Sequence, residues 1–94
     1  MKIFNRELLA LARQKHADAA PMIDAWLQEA EQAEWLRPLD IKMNHASASF
    51  LAGQVVIFNV KGNRYRLAVR VDYRRRFVFV KWFGTHTEYD RQKF

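Results

Sequence analysis

Residues 54–83 read QVVIFNVKGNRYRLAVRVDYRRRFVFVKWF, and this stretch decides the fold of the chain. It is rich in β-branched and aromatic residues, which favour strands, and polar residues that favour turns interrupt it twice. Strands joined by such short turns pair in antiparallel fashion. We therefore expect a three-stranded antiparallel meander, with strands at Gln54–Val60, Arg64–Asp72 and Arg76–Phe83 and turns at Lys61–Asn63 and Tyr73–Arg75.

The middle strand alternates between polar and apolar residues. Successive side chains of a strand point to opposite faces of the sheet, so Arg64, Arg66 and Arg70 are expected on one face and the apolar residues between them on the other. The third strand is apolar on both faces apart from Lys81, which is typical of a central strand. Gly84 is expected to end it.

Two helices are predicted before the meander. Asn5 occupies the position of an N-cap for the first helix, and Asp18 that for the second. The second helix has a broad apolar stripe that reaches Trp35–Leu36, and Arg37–Pro38 is expected to end it. The short segment Lys2–Phe4 can form an edge strand. This order predicts an α+β fold, with two N-terminal helices packed on one face of an antiparallel sheet and the other face open.

Two segments carry weaker signals. Leu39–Gly53 has little periodicity and is interpreted as a loop. Thr85–Lys93 is interpreted as a short terminal turn or helix with Thr85 as its cap. A chain of 94 residues, half of them hydrophobic, has the material for one core, so residues 1–94 are expected to form a single domain.

The positive charge is concentrated in the C-terminal part. Residues 1–53 contain six Lys or Arg and seven Asp or Glu, whereas residues 54–94 contain ten and three, so the balances are −1 and +7 and add up to the net charge of +6. A polyanion is the expected partner, because neutralising its phosphates releases condensed counterions. A basic surface that only keeps the protein soluble is the alternative.

The composition also narrows the function classes. Cysteine is absent, which excludes disulfides, thiolate metal sites and a cysteine nucleophile. The N-terminal sequence has neither a stretch long enough to span a membrane nor a signal-peptide pattern, so a cytoplasmic protein without membrane partners is expected. The three histidines are scattered and no phosphate-binding glycine loop is present, so neither a metal nor another cofactor is expected.

The candidate binding residues are the basic residues of the meander. Arg64, Arg66 and Arg70 would follow one another at roughly 7 Å per two residues, close to the spacing of phosphates along a strand of nucleic acid. Their planar forks suit phosphate oxygens. Lys61 and Lys81 are near enough in the predicted sheet to contact the same backbone. An ordinary solvated strand face is the alternative.

The candidate chemistry lies behind the last strand. His86 is the histidine of the basic region, and its ordinary pKa suits proton transfer near neutral pH. Tyr89 can donate a hydrogen bond to a phosphate or stack on a base. Glu88 and Asp90 either orient His86 or keep the tail soluble.

Two motifs resemble a known family. VIFNVKGNRYRL at 56–67 followed by GTHTEYD at 84–90 is similar to the HigB family of toxins, within the RelE-like group. The resemblance extends over nearly the whole chain and includes Asp40–Lys42 after the helices. It implies one RelE-like toxin domain of a type II toxin–antitoxin system: a ribosome-dependent, metal-independent endoribonuclease that cleaves translated messenger RNA by attack of a 2′-OH on the adjacent phosphate.

The resemblance also implies residue roles and partners. Arg66 would stabilise the transition state, His86 would transfer a proton with support from Tyr89, and Lys61 and Arg64 would contact phosphate. Messenger RNA on the ribosome, ribosomal RNA and a helix-turn-helix antitoxin similar to HigA are the implied partners. Further RNA contacts are expected from Arg70, Lys81, Arg74 and Arg75. The open alternatives are a non-catalytic RNA- or ribosome-binding module and a domain that receives an acidic peptide.

Overall fold

A computed structural model describes residues 1–92 of the chain. Within that range the elements are β1 (Lys2–Phe4), α1 (Arg6–Lys15), α2 (Ala20–Gln32), α3 (Pro38–Lys42), β2 (Ser49–Leu51), β3 (Val55–Val60), β4 (Tyr65–Asp72), β5 (Phe77–Thr85) and α4 (His86–Tyr89). Short 3-10 turns at Ala17–Ala19 and Ala52–Gln54 precede α2 and β3. The chain therefore has the mixed α+β composition that the sequence predicts. Its final residues, which include Lys93 of the predicted terminal segment, lie outside the described part.

The strands of the described chain form one sheet in the order β1-β5-β4-β3-β2. The meander β3–β4–β5 is antiparallel, as expected, and Leu67 at its centre faces Phe58 on one side and Phe83 on the other. Strand β1 is an edge strand, but it pairs with β5 in parallel. The sheet is thus mixed, and the expectation of a wholly antiparallel sheet is wrong. A parallel pair needs a long connection, and the helices and strands between β1 and β5 provide it.

A bulge interrupts the ladder between β4 and β5. Val69 pairs with Val80 and Ala68 pairs with Trp82, so Lys81 is an extra residue on β5. Bulges of this kind leave one residue unpaired and bend the strand. Lys81 is exposed at this bend.

The expectation that Gly84 ends β5 is wrong. Gly84 lies within the strand, opposite Arg66. A Cβ at this position would lie 2.6 Å from the ring of Trp82 and 2.9 Å from a carboxylate oxygen of Glu88. Glycine is therefore required here because other groups fill the space of a side chain. The strand continues to Thr85, where α4 begins.

Helices α1, α2 and α3 cover one face of the sheet, and the core lies between these two layers. Trp26 of α2 and Trp35 pack on the ring of Phe58, with centroids 5.5 and 6.1 Å away. Burial of such large apolar groups is the main force that holds the layers together. Both layers contribute almost fully buried side chains, which include Leu9, Ile23, Ile41, Phe58, Leu67, Val69, Val71, Val78 and Val80.

One of the two predicted helix starts is confirmed, and neither residue caps its helix with its side chain. Asn5 is the N-cap residue of α1, but it adopts a left-handed conformation with φ of 65°, and its side-chain amide donates to the carbonyl of Val80. Asp18 lies in the 3-10 turn, and Ala19 is the N-cap of α2. A tertiary contact has replaced the local cap in both cases, so local capping rules gave the wrong partner.

The predicted loop at Leu39–Gly53 contains regular structure. Helix α2 already ends at Gln32, and Pro38, which was expected to end it, opens α3. Ile41 anchors α3 because it is completely buried. Strand β2 then pairs with β3 at the far edge of the sheet.

Candidate nucleic-acid interface

The second face of the sheet lies opposite helices α1, α2 and α3, and it holds a small apolar cluster against which α4 packs. Val55, Ile57 and Ala68 are buried there, and Trp82 and Tyr89 pack against them. The two rings lie 6.2 Å apart and link β5 to α4. This cluster forms the apolar floor of the arginine-bearing face.

Arg66 lies on this face and is 8% exposed. Its guanidinium donates to the backbone carbonyl of Asn63 at 3.1 Å, to the side-chain oxygen of Asn63 at 3.0 Å and to the carbonyl of Tyr65 at 3.2 Å. The ring of Tyr89 lies 6.0 Å from the guanidinium carbon, within the range of a cation–π contact. These hydrogen-bond acceptors are neutral, so they fix the orientation of the guanidinium without cancelling its charge.

Helix α4 is held by a capping box. The hydroxyl of Thr85 accepts from the amide of Glu88 at 3.1 Å, and the Glu88 carboxylate accepts from the amide of Thr85 at 2.8 Å. The second of these bonds is the main cause that lowers the pKa of Glu88 below its usual value. Thr85 is therefore confirmed as the cap, and Glu88 stabilises α4 rather than orienting His86.

His86 is the first residue of α4. Its amide donates to the carbonyl of Arg64 at 3.0 Å, which attaches the helix to the turn before β4. The imidazole is about half exposed, and its Nε2 lies 3.7 Å from a carboxylate oxygen of Asp90. His86 and Arg66 therefore lie at the same end of the meander.

Arg64 does not share the open face with Arg66 and Arg70, so this part of the prediction is wrong. It precedes β4 and lies in the turn, where Lys61 and Gly62 both have positive φ. The turn directs its guanidinium to the 3-10 turn before α2, 3.1 Å from Asp18.

Asp18 collects several donors. Tyr65 donates its hydroxyl to Oδ1 at 2.6 Å, and Lys61 and Arg64 contact Oδ2 at 3.2 and 3.1 Å. The hydrogen bond from Tyr65, helped by the two cations, lowers the pKa of Asp18 to about 2. The same hydrogen bond raises the pKa of Tyr65. The two predicted phosphate contacts of this turn are therefore already paired with a carboxylate.

The other predicted contacts extend to the opposite end of the sheet. Arg70 is exposed, with its guanidinium 5.9 Å from the ring of Phe77. Arg74 and Arg75 are exposed in the turn between β4 and β5. From Arg66 to the end of β4 at Asp72 the extended chain advances by six residues, or roughly 20 Å, and Arg74 lies in the turn beyond. The sheet thus separates the predicted set into one group around Arg66 and another around Arg74.

Sequence reasoning missed three residues that organise these groups. Asn63 was interpreted only as a turn residue, although its side chain and carbonyl hold Arg66. Asp18 was interpreted as a helix cap, and Trp82 was not singled out. The signal for Asn63 lay in its spacing, since a side chain three residues before a strand arginine can contact it across the turn. Nothing local pointed to Asp18, because its partners lie 43 to 47 residues away.

Among residues 1–92, no helix is long and apolar enough to cross a membrane. The same residues contain no group of three or more histidine, aspartate and glutamate side chains that could hold a metal ion.

The fold and the site define a small, basic α+β protein with a sheet face, opposite helices α1 to α3, that carries arginine and aromatic side chains. The chain belongs to the HigB toxin family: the family model, described as the RelE-like toxic component of a toxin–antitoxin system, matches residues 19–92. No curated protein matches it. The family membership makes the chain a toxin with an antitoxin partner, and its mixed α+β structure is compatible with the RelE-like fold.

Proposed function

We propose that the protein is an endoribonuclease that cleaves messenger RNA on the ribosome, as the toxin of a type II toxin–antitoxin system in the cytoplasm. The observation that carries this proposal is the state of Arg66, which is nearly buried at the edge of a basic face and whose guanidinium donates to neutral oxygens of Asn63 and Tyr65. A fixed cation of this kind is suited to charge that develops during a reaction.

The proposed reaction uses only the RNA's own 2′-hydroxyl as nucleophile and side chains of the protein for proton transfer and charge stabilisation. The 2′-oxygen loses its proton and bonds to the adjacent phosphorus, the bond from phosphorus to the 5′-oxygen breaks, and that oxygen gains a proton. The products are a 2′,3′-cyclic phosphate and a free 5′-hydroxyl. Negative charge grows on the phosphorane between these steps, and Arg66 stabilises it. Because the guanidinium is already oriented, little reorganisation is needed in the transition state.

His86 is the proton-transfer residue in this proposal. Its imidazole is exposed enough to contact an RNA strand, and the carboxylate of Asp90 lies near enough to orient the ring. Tyr89 supports the site from the other side, because its ring packs on Trp82 and faces the guanidinium of Arg66.

The RNA backbone is expected to run along the open face. Arg70, Lys81, Arg74 and Arg75 are exposed along β4, β5 and their turn, where they can contact phosphates on either side of the cleaved bond or ribosomal RNA. Their charge supplies affinity that depends on salt and not on base sequence. The antitoxin, proposed to be a helix-turn-helix protein similar to HigA, would block this face or its access to the ribosome.

The decisive experiment maps RNA 5′ ends in a purified translation reaction. The wild-type protein is expected to cut the translated message and leave 5′-hydroxyl ends. His86→Ala is expected to slow this cleavage by about 100-fold or more. The matched control is Arg13→Gln, which removes an exposed charge from the helical side. If the wild type cuts nothing on translating ribosomes, the protein is not this enzyme; if His86→Ala cuts at the wild-type rate, the role of His86 is wrong.

A non-catalytic RNA- or ribosome-binding module is the second candidate. The exposed Arg74 and Arg75 favour it, since they lie far from Arg66 and can bind without any chemistry. In that case the protein would inhibit translation while every message stays intact, and His86→Ala would inhibit as well as the wild type.

A further inference from the structure

The cluster around Asp18 contains the donors of a phosphate site. An ammonium, a guanidinium and a hydroxyl group, from Lys61, Arg64 and Tyr65, converge on one anion. The Arg64 side chain is 63% exposed and that of Asp18 is 38% exposed, so the cluster is open to solvent. It lies at the end of the meander that also carries Arg66 and His86.

A carboxylate and a phosphodiester present the same feature to such donors. Each spreads one negative charge over two terminal oxygens, and each accepts charge-assisted hydrogen bonds. Asp18 uses both of its oxygens: Oδ1 accepts from Tyr65, and Oδ2 accepts from the two cations. Its carboxylate thus occupies the position that a phosphate would take.

We propose that Lys61, Arg64 and Tyr65 form a binding site for one phosphodiester of RNA, which Asp18 fills in the free protein and leaves when RNA binds. The identity of the ligand rests on the proposed function. The displacement of Asp18 is an additional claim that can fail separately.

A phosphate can replace the Asp18 carboxylate at little loss of stability. Exposed ion pairs contribute little to the free energy of unfolding, so breaking those of Asp18 destabilises the fold only slightly. Asp18 belongs to a short 3-10 turn whose next residue, Ala19, is completely buried, so a rotation of the Asp18 side chain removes the carboxylate while the turn stays in place. Two cations against one carboxylate also leave a positive charge that attracts a phosphate. With a pKa of about 2, Asp18 is charged at every pH at which RNA binding is measured.

The salt dependence of binding separates competition by Asp18 from a change in the number of phosphate contacts. A protein cation that neutralises a phosphate of single-stranded RNA releases counterions condensed on the RNA, and this makes the affinity fall with salt by a slope of about 0.7 per phosphate. Because those counterions come from the RNA, they are released whether or not Asp18 must first leave its donors. Removal of the Asp18 charge should therefore raise the affinity and leave the slope nearly unchanged.

The test measures the binding of a single-stranded 2′-O-methyl RNA oligonucleotide, which cannot be cleaved, by fluorescence anisotropy at several salt concentrations. Asp18→Asn is expected to bind about three- to tenfold more tightly than the wild type, with a nearly unchanged slope. The matched control is Asp24→Asn, which makes the same charge change at an exposed pair with Arg13. It should change affinity less than about twofold.

A double variant assigns the gain to the cluster. In an Arg64→Gln background, Asp18→Asn should gain little, because the released cation is gone. Equal affinity of Asp18→Asn and Asp24→Asn overturns the proposal, and so does the absence of measurable binding by both.

A measurement on the wild type covers the case in which Asp18→Asn folds poorly. The carboxyl carbon of Asp18 is expected to shift in the NMR spectrum when the oligonucleotide is saturating, while that of Asp24 stays unchanged. An unchanged Asp18 signal at saturation contradicts displacement. Cleavage of translated messenger RNA tests the proposed function separately, so either idea can fail while the other stands.

Discussion

Two cationic groups lie at the start of β4, and the protein holds them in opposite ways. Arg66 is nearly buried, and its guanidinium donates to neutral oxygens of Asn63 and Tyr65. Lys61 and Arg64 are more exposed and share a carboxylate. The comparison shows how a fold can position a charge with or without cancelling it. Neutral acceptors leave Arg66 with its full charge for a phosphate, whereas the carboxylate partly neutralises the other pair.

The largest expected effect tests whether the two arginines have different roles. Arg66→Ala should lower the single-turnover rate of cleavage on programmed ribosomes on the order of 100- to 1,000-fold, as does loss of one preorganised donor to a developing charge. Arg64→Ala should lower it about tenfold at most, through weaker binding. Arg66→Lys keeps the charge but not the planar fork, and should recover only part of the rate. An equal or larger loss for Arg64→Ala would reverse the assignment, provided that circular dichroism shows both variants folded.

The second effect is expected when Arg66 receives a carboxylate partner, as Lys61 and Arg64 already have in Asp18. Asn63→Asp keeps an oxygen in contact with Arg66 but gives it a negative charge, so Arg66 would be neutralised as Arg64 is now. We expect the cleavage rate to fall about 10- to 100-fold although the new ion pair is a stronger contact. Asn44→Asp, at an exposed position of the helical side, is the control for added charge. Cleavage at the wild-type rate in Asn63→Asp would show that the neutrality of the acceptors is unimportant.

The third effect concerns the far end of the face. Replacement of Arg74 and Arg75 by Gln should weaken RNA binding several-fold and flatten the salt slope by about 1.4, while the rate at saturation stays unchanged. The control removes the same charge from the helices, at Arg6 and Arg13. A lower rate at saturating protein would place the distal arginines in the chemistry.

The smallest effect is a pH dependence of stability. The pKa of Asp18 is about 2 in the folded protein and about 3.9 in an unfolded chain, so its pairing stabilises the fold above pH 4 and is lost as the pH falls through 2. The melting temperature of the wild type should exceed that of Asp18→Asn by a few degrees at most at neutral pH, and the difference should vanish near pH 2. A difference that persists at pH 2 would have a cause other than charge.

The sequence predicted the meander well because its signals are local and repeated. Alternation along β4 placed Arg66 and Arg70 on one face correctly, since both lie inside the strand. The same rule failed for Arg64, which precedes the strand. Arg64 still belongs to the turn, where its amide donates to the carbonyl of Lys61, so the alternation that begins with β4 at Tyr65 does not extend to it.

The remaining errors have a different origin. Helix α3 and strand β2 are too short to show a full period, and Ile41 and the pairing of β2 with β3 stabilise them through tertiary contacts. Gly84 was interpreted as a stop because glycine usually interrupts strands, although here it makes room for the ring of Trp82. Such contacts join distant parts of the chain and leave no local pattern.

The bulge at Lys81 determines which rings the interface presents. A regular pleat that continued from the buried Val80 would turn Trp82 beneath the helices and Phe83 outward. The extra residue delays the pleat by one step, so Trp82 lies opposite Ala68 on the outer side and Phe83 lies against Tyr65 within. A chain that lacked residue 81 would keep both orientations with an uninterrupted pleat. The bulge therefore allows β5 to contain Lys81 without reversing the direction of the side chains that follow.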